Sequence, residues 1–237
     1  MHTDSFSNER WLQFWANYKG AAHANPQQDA ALLELKAAID RADSSILVES
    51  ASWTATWRTK PEATSSNPLT VPYFSQLDNA SGEGYRECFS SSCAMLAAFH
   101  GKVSSDDEYN AIRAQYGDST SSEAQLAALR SLGLQADFHT NGGPADLMAE
   151  IDAGLPVATG WLHKGPVSAP TGGGHWTVVV GYTDGQWIHH DPNGEAALVG
   201  GGYTASTNGE AQHYSFQNWN PRWMPGGTGG WFLSVRP

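Results

Sequence analysis

Residues 84–101, GYRECFSSSCAMLAAFHG, hold both cysteines of the chain, Cys88 and Cys93. If residues 88–100 are helical, two positions five apart lie on different faces, with Cα atoms beyond the roughly 7 Å that a disulfide tolerates. A zinc site is equally disfavoured, because there is no C-x-x-C and no second cysteine pair. Phe89, Cys93, Leu96 and Ala97 share one helical face, so Cys93 reads as a small buried hydrophobe. Cys88 falls about 100° from Phe89 on the helical wheel, in the first turn. There the free N–H groups and the positive helix end favour a thiolate over a thiol. On its own, Cys88 is either a nucleophile or a second packed cysteine.

The surrounding text is helical first and strand-like later. Downstream, Ser105 and Glu108 form a capping box ahead of Tyr109, Ile112 and Tyr116, with Gly117 as stop. Thr120 and Glu123 repeat the pattern up to Gly133, and a third helix runs from Pro144 to Gly154. Strands follow at LPVATGWLH, HWTVVVGY, QWIHHD and GWFLSV, with Asp184-Gly185 as a hairpin turn. This order predicts an α+β domain. Upstream, VPYFSQ (71–76) reads as a short strand. Residues 59–69 have two prolines and little apolar material, which suggests a division into a helical segment 1–60, a linker 61–69 and a main domain 70–237. In the first segment, Trp11, Phe14, Trp15 and Tyr18 have helical spacing over residues 8–20, and a second helix begins at Asn25-Pro26 and runs to about Ala42. That segment is either a brace on the main domain or a wall-binding anchor.

A nucleophilic cysteine needs a base, and the base an orienting group. His175 opens a strand directly after PTGGG, and Asp191 closes the next strand ahead of the turn former Pro-Asn-Gly. A flat two-residue hairpin at Asp184-Gly185 pairs residue 175 with 194, so a bulge, strong twist or bend is needed to bring Asp191 to His175. Trp161 and Trp176 flank this region and are candidates for walls of a substrate groove.

The net charge of −11, from 24 Asp and Glu against 13 Lys and Arg, argues against a nucleic-acid partner. The N-terminal residues lack a basic, then apolar, signal pattern, and no window reaches the roughly 18 apolar residues of a membrane span. Synthesis in the cytoplasm as a monomer without membrane insertion is the expectation.

CFSSSCAML with the upstream YFSQ, then GGGHWTVVVGY, then IHHDPNG, resemble the three blocks of the bacteriocin-leader-processing family of papain-like cysteine peptidases, over about residues 71–199. The resemblance implies a papain-like fold, in which a helix bearing the nucleophile packs on an antiparallel sheet. It also implies roles: Cys88 as nucleophile, His175 as general base and acid, Asp191 as the group orienting the imidazole, and Gln76 as oxyanion-hole donor, with no cofactor and no metal. Two departures stand out. The familiar Cys-Gly-Pro-Thr is Cys88-Phe89-Ser90-Ser91 here, and the loop 77–87 sets Gln76 farther from the cysteine than in the leader-processing enzymes. The C-terminal run NWNPRWMPGGTGGWFLSV, with the N-terminal segment, further resembles phage endolysins that carry this domain. That likeness implies hydrolysis of peptidoglycan stem or cross-link peptides, and action on the cell wall once the membrane is opened. The alternatives are a peptidase for a protein or leader peptide, and a non-catalytic peptide-binding module on the same fold. A metal hydrolase built on His175, His189 and Asp191 is disfavoured, since the adjacent strand residues His189 and His190 point to opposite faces.

Overall fold

The computed structural model describes residues 46–49, 56–59 and 67–237 of a chain that divides into two units, Met1–Glu62 and Ala63–Pro237. In the first, strand β1 (Ile46–Glu49) pairs antiparallel with β2 (Thr56–Thr59), Ile46 standing opposite Thr59. The β-branched and aromatic residues of ILVE and TWRT suit a ladder, although this segment was expected to be helical. The two helices expected over residues 8–20 and 25–42 lie outside the described residues.

The second unit opens with residues 67–75, which carry no ladder of their own. The strand expected at VPYFSQ is instead an extended segment strung along the main sheet: the Leu69 N–H donates to Val180 O (2.7 Å) and the Gln76 N–H to Pro192 O (2.9 Å). Residues 67–69, read as the end of a linker, are therefore part of the fold, and Leu69 is buried in the core. Helix α1 (Cys88–Phe99) follows, then α2 (Asp106–Arg113) and α3 (Ser122–Ser131). The Ser105 hydroxyl caps α2 by accepting from the Glu108 N–H. For α3 the cap is Ser121, not Thr120: the Ser121 hydroxyl accepts from the Ala124 N–H (3.2 Å), while the Thr120 hydroxyl and N–H both turn back to Asp118 (2.6 and 2.9 Å). After β3 (Gln135–Gly142), helix α4 (Pro144–Asp152) starts on its proline and ends ahead of Gly154 at φ 83°.

The remaining elements are β4 (Val157–Trp161), β5 (His175–Tyr182), β6 (Gln186–His190), β7 (Glu195–Ala196), β8 (Tyr203–Ala205), β9 (Gln212–Ser215), α5 (Phe216–Trp223) and β10 (Gly230–Arg236). Six strands form one antiparallel sheet in the order β3-β10-β4-β5-β6-β9, and β7 pairs with β8 in a separate ribbon. The expected α+β class, with the cysteine-bearing helix packed on an antiparallel sheet, is the class observed. Strands β3 and β7–β9 and helix α5 have no counterpart in the sequence reading.

Because strand side chains alternate between faces, the sheet is covered on both sides. On one face Phe89 of α1 stacks on Trp176 (3.7 Å between centroids, 7° between planes). On the other, Trp219 of α5 packs on Trp161, Trp187 and His189. Cys93, Met95, Leu96, Val178, Val179 and Leu233 are fully buried within this core. Among the described residues, no helix is long and apolar enough to cross a membrane.

The β5–β6 hairpin contains the irregularity that the sequence required. Tyr182 pairs with Trp187 and Gly181 with Ile188, but beyond a bulge at Val180 the partners are Val179 with His189 and Val178 with His190. The bulged Val180 carbonyl is taken up by the Leu69 N–H, and the Asn67 side chain bonds both Tyr182 N and Tyr182 O. Continued to the strand end, the shifted register sets Asp191 across from Thr177. Residues 175 and 177 share a face, so Asp191 becomes a same-face diagonal neighbour of His175, within reach of an imidazole. Without the bulge, Asp191 would face Val178 and project from the opposite side of the sheet.

Candidate active site

Cys88 is the first residue of α1, after Glu87 at the N-cap. The Glu87 side chain does not cap the helix. It is buried among Asn79, Ser81 and Arg113, accepting from the first two at 2.7 Å each and lying 3.7 Å from the Arg113 guanidinium. The first N–H groups of the helix thus receive no side-chain cap from Glu87. Cys88 is a partly exposed free cysteine. Cys93, also free, is sealed in the core, where burial pushes its thiol pKa up.

His175, at the start of β5, places Nε2 2.8 Å from Asp191 Oδ1. That contact leaves the other ring nitrogen, Nδ1, for the Cys88 side, and Cys88 and His175 line the same cavity. Burial by itself would lower the imidazole pKa, but the Asp191 carboxylate and the Cys88 thiolate outweigh it and raise it to about 10. Trp161 packs edge-on against the ring (5.5 Å, 85°). Trp161 is itself fixed by Nε1–H donating to the Thr177 hydroxyl (3.1 Å), which lies 2.9 Å from His189 Nδ1.

Asp191 is fully buried, and its carboxylate is saturated with donors. Oδ1 accepts from His175, from the Asn193 N–H (3.0 Å) and from the Tyr203 hydroxyl (3.3 Å). Oδ2 accepts from the Tyr214 hydroxyl (2.8 Å) and again from Tyr203 (3.2 Å). Burial, and next the Asp191 charge, push both phenol pKa values upward, so both tyrosines remain donors. Neither tyrosine was singled out from sequence. Each sits on a short, unforeseen strand, and a tyrosine there carries no signal of a distant carboxylate.

The distance between Gln76 and Cys88 is absorbed by the loop between them. Two 3-10 turns, Gln76–Asp78 and Gly84–Arg86, fold it back so that Gly84 lies directly on the Gln76 backbone, where a Cβ would collide with the Gln76 carbonyl. The Gln76 Nε2 donates one hydrogen to Gly84 O (2.7 Å) and has a second to give.

Cys88, His175, Gln76, Trp161 and Trp176 all line one cavity of about 830 Å³. That volume suits a short peptide. Asp191 stands behind His175, away from the cavity lining. One wall is aromatic. Trp231, Gly160 and Trp176 stand in cross-strand register, and Phe138 lies against both tryptophans. The opposite wall carries His163, Tyr203, Arg222 and the Gly172–Gly174 loop. His189 is enclosed by Tyr214 and Trp219, and no three His, Cys, Asp or Glu side chains converge on a metal-sized site among the described residues.

A family model for the "Peptidase_C39 like family" matches residues 68–221. No curated protein sequence gives a significant match. Among solved structures, a double glycine motif protease from an AMS/PCAT transporter, in complex with its leader peptide, is 18% identical, with 72% of this chain and 94% of that one covered and a TM-score of 0.47. The peptidase domain of Streptococcus ComA, a bifunctional ABC transporter of a quorum-sensing pathway, is 16% identical (70% and 97% covered, TM-score 0.46). A protein described as a C39-like peptidase from Bacillus anthracis is 15% identical (73% and 98% covered, TM-score 0.47).

Proposed function

The chain belongs to the Peptidase_C39 like family, and from that premise we propose that it is a cysteine peptidase that cuts peptide bonds in bacterial peptidoglycan, with Cys88 as nucleophile, His175 as general base and acid, and Asp191 as the orienting group. The observation that supports this assignment is the 2.8 Å His175–Asp191 pair next to a free Cys88 in the lining of a peptide-sized cavity. The Cys88 thiolate attacks the carbonyl carbon of the scissile amide. The oxyanion is met by the Cys88 backbone N–H and the second Gln76 Nε2 hydrogen. Protonated His175 delivers its proton to the departing amine, and then takes one from the water that releases the acyl-enzyme. Asp191, unable to turn between its tyrosines, keeps the imidazole in one tautomer.

The peptidoglycan substrate and a phage endolysin role, with action on the cell wall after membrane opening, rest on the likeness of the C-terminal run to endolysins. The test is turbidity loss of outer-membrane-permeabilised bacteria, or release of fragments from purified sacculi, by wild type beside Cys88→Ala, with mass spectrometry of the soluble products. Lysis by wild type alone, with new amino termini, is expected. Lysis by both proteins would refute the cysteine mechanism. Inert sacculi together with cleavage of linear all-L peptides would move the substrate to a protein or leader peptide.

A further inference from the structure

Acidic residues outnumber basic ones 24 to 13 in this chain, yet no Asp or Glu lines the cavity. Its ionisable lining, beside Cys88, is Tyr85, Arg86, His163, His175, Tyr203 and Arg222. Of the acids next to lining residues, Asp191 is held by its four donors, Glu87 by Asn79, Ser81 and Arg113, and Asp118 by an exposed ion pair with Arg86 (3.0 Å), while Glu83 lies at the Tyr85 end of the cleft. A cleft free of carboxylates on so acidic a molecule is a local reversal of its charge.

The reversal is sharpest on the His175 side. Arg222 is fully buried and donates to four carbonyls, from Nε to Leu198, from Nη1 to Leu162 and Lys164, and from Nη2 to Gly165. A guanidinium has five N–H groups. The fifth finds no acceptor among the described residues, and no carboxylate there lies within ion-pair distance. His163 sets its ring 5.7 Å from that of His175, and its Nδ1 is buried without a partner among the described residues. Burial, reinforced by the charge of His175, lowers its pKa to about 4, so it stands neutral with an N–H to offer. The exposed loop Gly172–Gly174 also lines the cavity with no side chains to screen its backbone, and its amides donate to no acceptor among the described residues. For the buried polar atoms of Arg222 and His163, being left unpaired is costly. A buried cation, an imidazole N–H and a run of open amides around one space are complementary to an anion.

We propose that this side of the cleft is a carboxylate subsite, and that the substrate is a peptide bearing a free carboxylate beside the scissile bond. The assignment rests on Cys88 being the peptidase nucleophile and adds the charge of what it cuts. It names His163 and Arg222 as specificity determinants.

Two alkylating reagents that differ by one carboxylate, iodoacetate and iodoacetamide, probe the subsite without needing the natural substrate. The rate ratio at Cys88, divided by the same ratio for a free cysteine amide, removes the effect of thiolate fraction. It is expected to favour iodoacetate by about 10- to 100-fold, the worth of charge-assisted hydrogen bonds. It should fall about tenfold or more in His163→Ala and in Arg222→Gln. If Arg222→Gln fails to fold, His163→Ala decides alone. A normalised ratio near one, or a preference unchanged by the variants, overturns the subsite. In parallel, peptides cut by wild type are compared as Glu and Gln pairs at each position flanking the bond. Turnover indifferent to the exchange removes the subsite and leaves the peptidase. An iodoacetate preference that survives where no peptide is cut refutes the peptidase and leaves the subsite. A Cys88 unreactive to both reagents overturns the two together.

Discussion

Replacing Asp191 with Asn keeps the shape of the side chain and removes its charge, and the structure says how far the imidazole must respond. His175 is buried, so desolvation pulls its pKa down, and it reaches about 10 only because the Asp191 carboxylate, first among the opposing charges, outweighs burial. With Nε2 and Oδ1 2.8 Å apart, the charge centres are roughly 4 Å apart, worth about 4 kcal/mol at an effective dielectric of about 20, or about three pKa units. The alkaline limb of kcat/KM, which reports loss of the imidazolium proton, should therefore move from near 10 in wild type to about 7 in Asp191→Asn. Some hydrolysis near neutral pH should survive, since Asn still accepts from Nε2. Folding stability follows the same sign. A folded-state pKa raised above the unfolded value of about 6.5 stabilises fully below that pH, and the stabilisation is lost as pH rises toward 10. Rate profiles and urea melts across pH 6 to 10.5 test both. A wild-type limb near 6.5, or a limb that stays within half a unit on Asp191→Asn, would refute the electrostatic account of the relay.

The two tyrosines act through Asp191. Tyr203→Phe and Tyr214→Phe should each lower kcat/KM by about tenfold, the scale of a hydrogen bond to a charged group, and have little effect in an Asp191→Ala background. Equal losses in both backgrounds would make them merely structural. Gln76→Ala should cost about 10² to 10³ in kcat if its second hydrogen meets the oxyanion, and Gly84→Ala, whose methyl would collide with the Gln76 backbone, should lose kcat in the same direction. A Gln76→Ala variant with wild-type kcat would remove it from the oxyanion hole. Gly160→Ala drives a methyl to 2.8 Å from the Trp176 ring. It should destabilise by about 1–3 kcal/mol and raise KM by distorting the aromatic wall, and calorimetry with steady-state kinetics separates the two.

What could be read from the sequence depended on the range of the interaction. The helix at Cys88 and those at Ser105 and Pro144 are local patterns of caps, stripes and stop signals, and the structure has all three. The start of α3 went astray by one residue because Thr120 and Ser121 are both good caps, and in the fold Thr120 turns back to Asp118 while Ser121 accepts from the Ala124 N–H. The need for a bulge between His175 and Asp191 could be counted from the turn, whereas its position at Val180 depends on Leu69 and Asn67, more than a hundred residues upstream. VPYFSQ has the composition of a strand, but its backbone meets the Asp191–Pro192 turn, through Gln76 N–H to Pro192 O, and the His190 side chain at Val71 O, instead of a neighbouring strand. Tyr203, Tyr214, His163 and Arg222 were illegible for the same reason. Each becomes part of the site only through contacts that the folded chain creates.

The bulge at Val180 has a further consequence, for how this hairpin can change in evolution. The side of the sheet from which Asp191 projects depends on whether the number of residues between it and the strand turn is odd or even relative to β5. Away from the bulged residue itself, insertion or deletion of a single residue inside the ladder would send the carboxylate to the wrong side at one step, leaving every other contact of the strand to be rebuilt. A paired change would only slide it along. Related sequences should therefore vary in length here by even numbers, or compensate a single-residue change in β6 with one in β5. A deletion of Val180 alone removes only the extra residue, so Val179 stays opposite His189 and the His175–Asp191 pair should survive in a straighter ladder, at the cost of the carbonyl that holds Leu69.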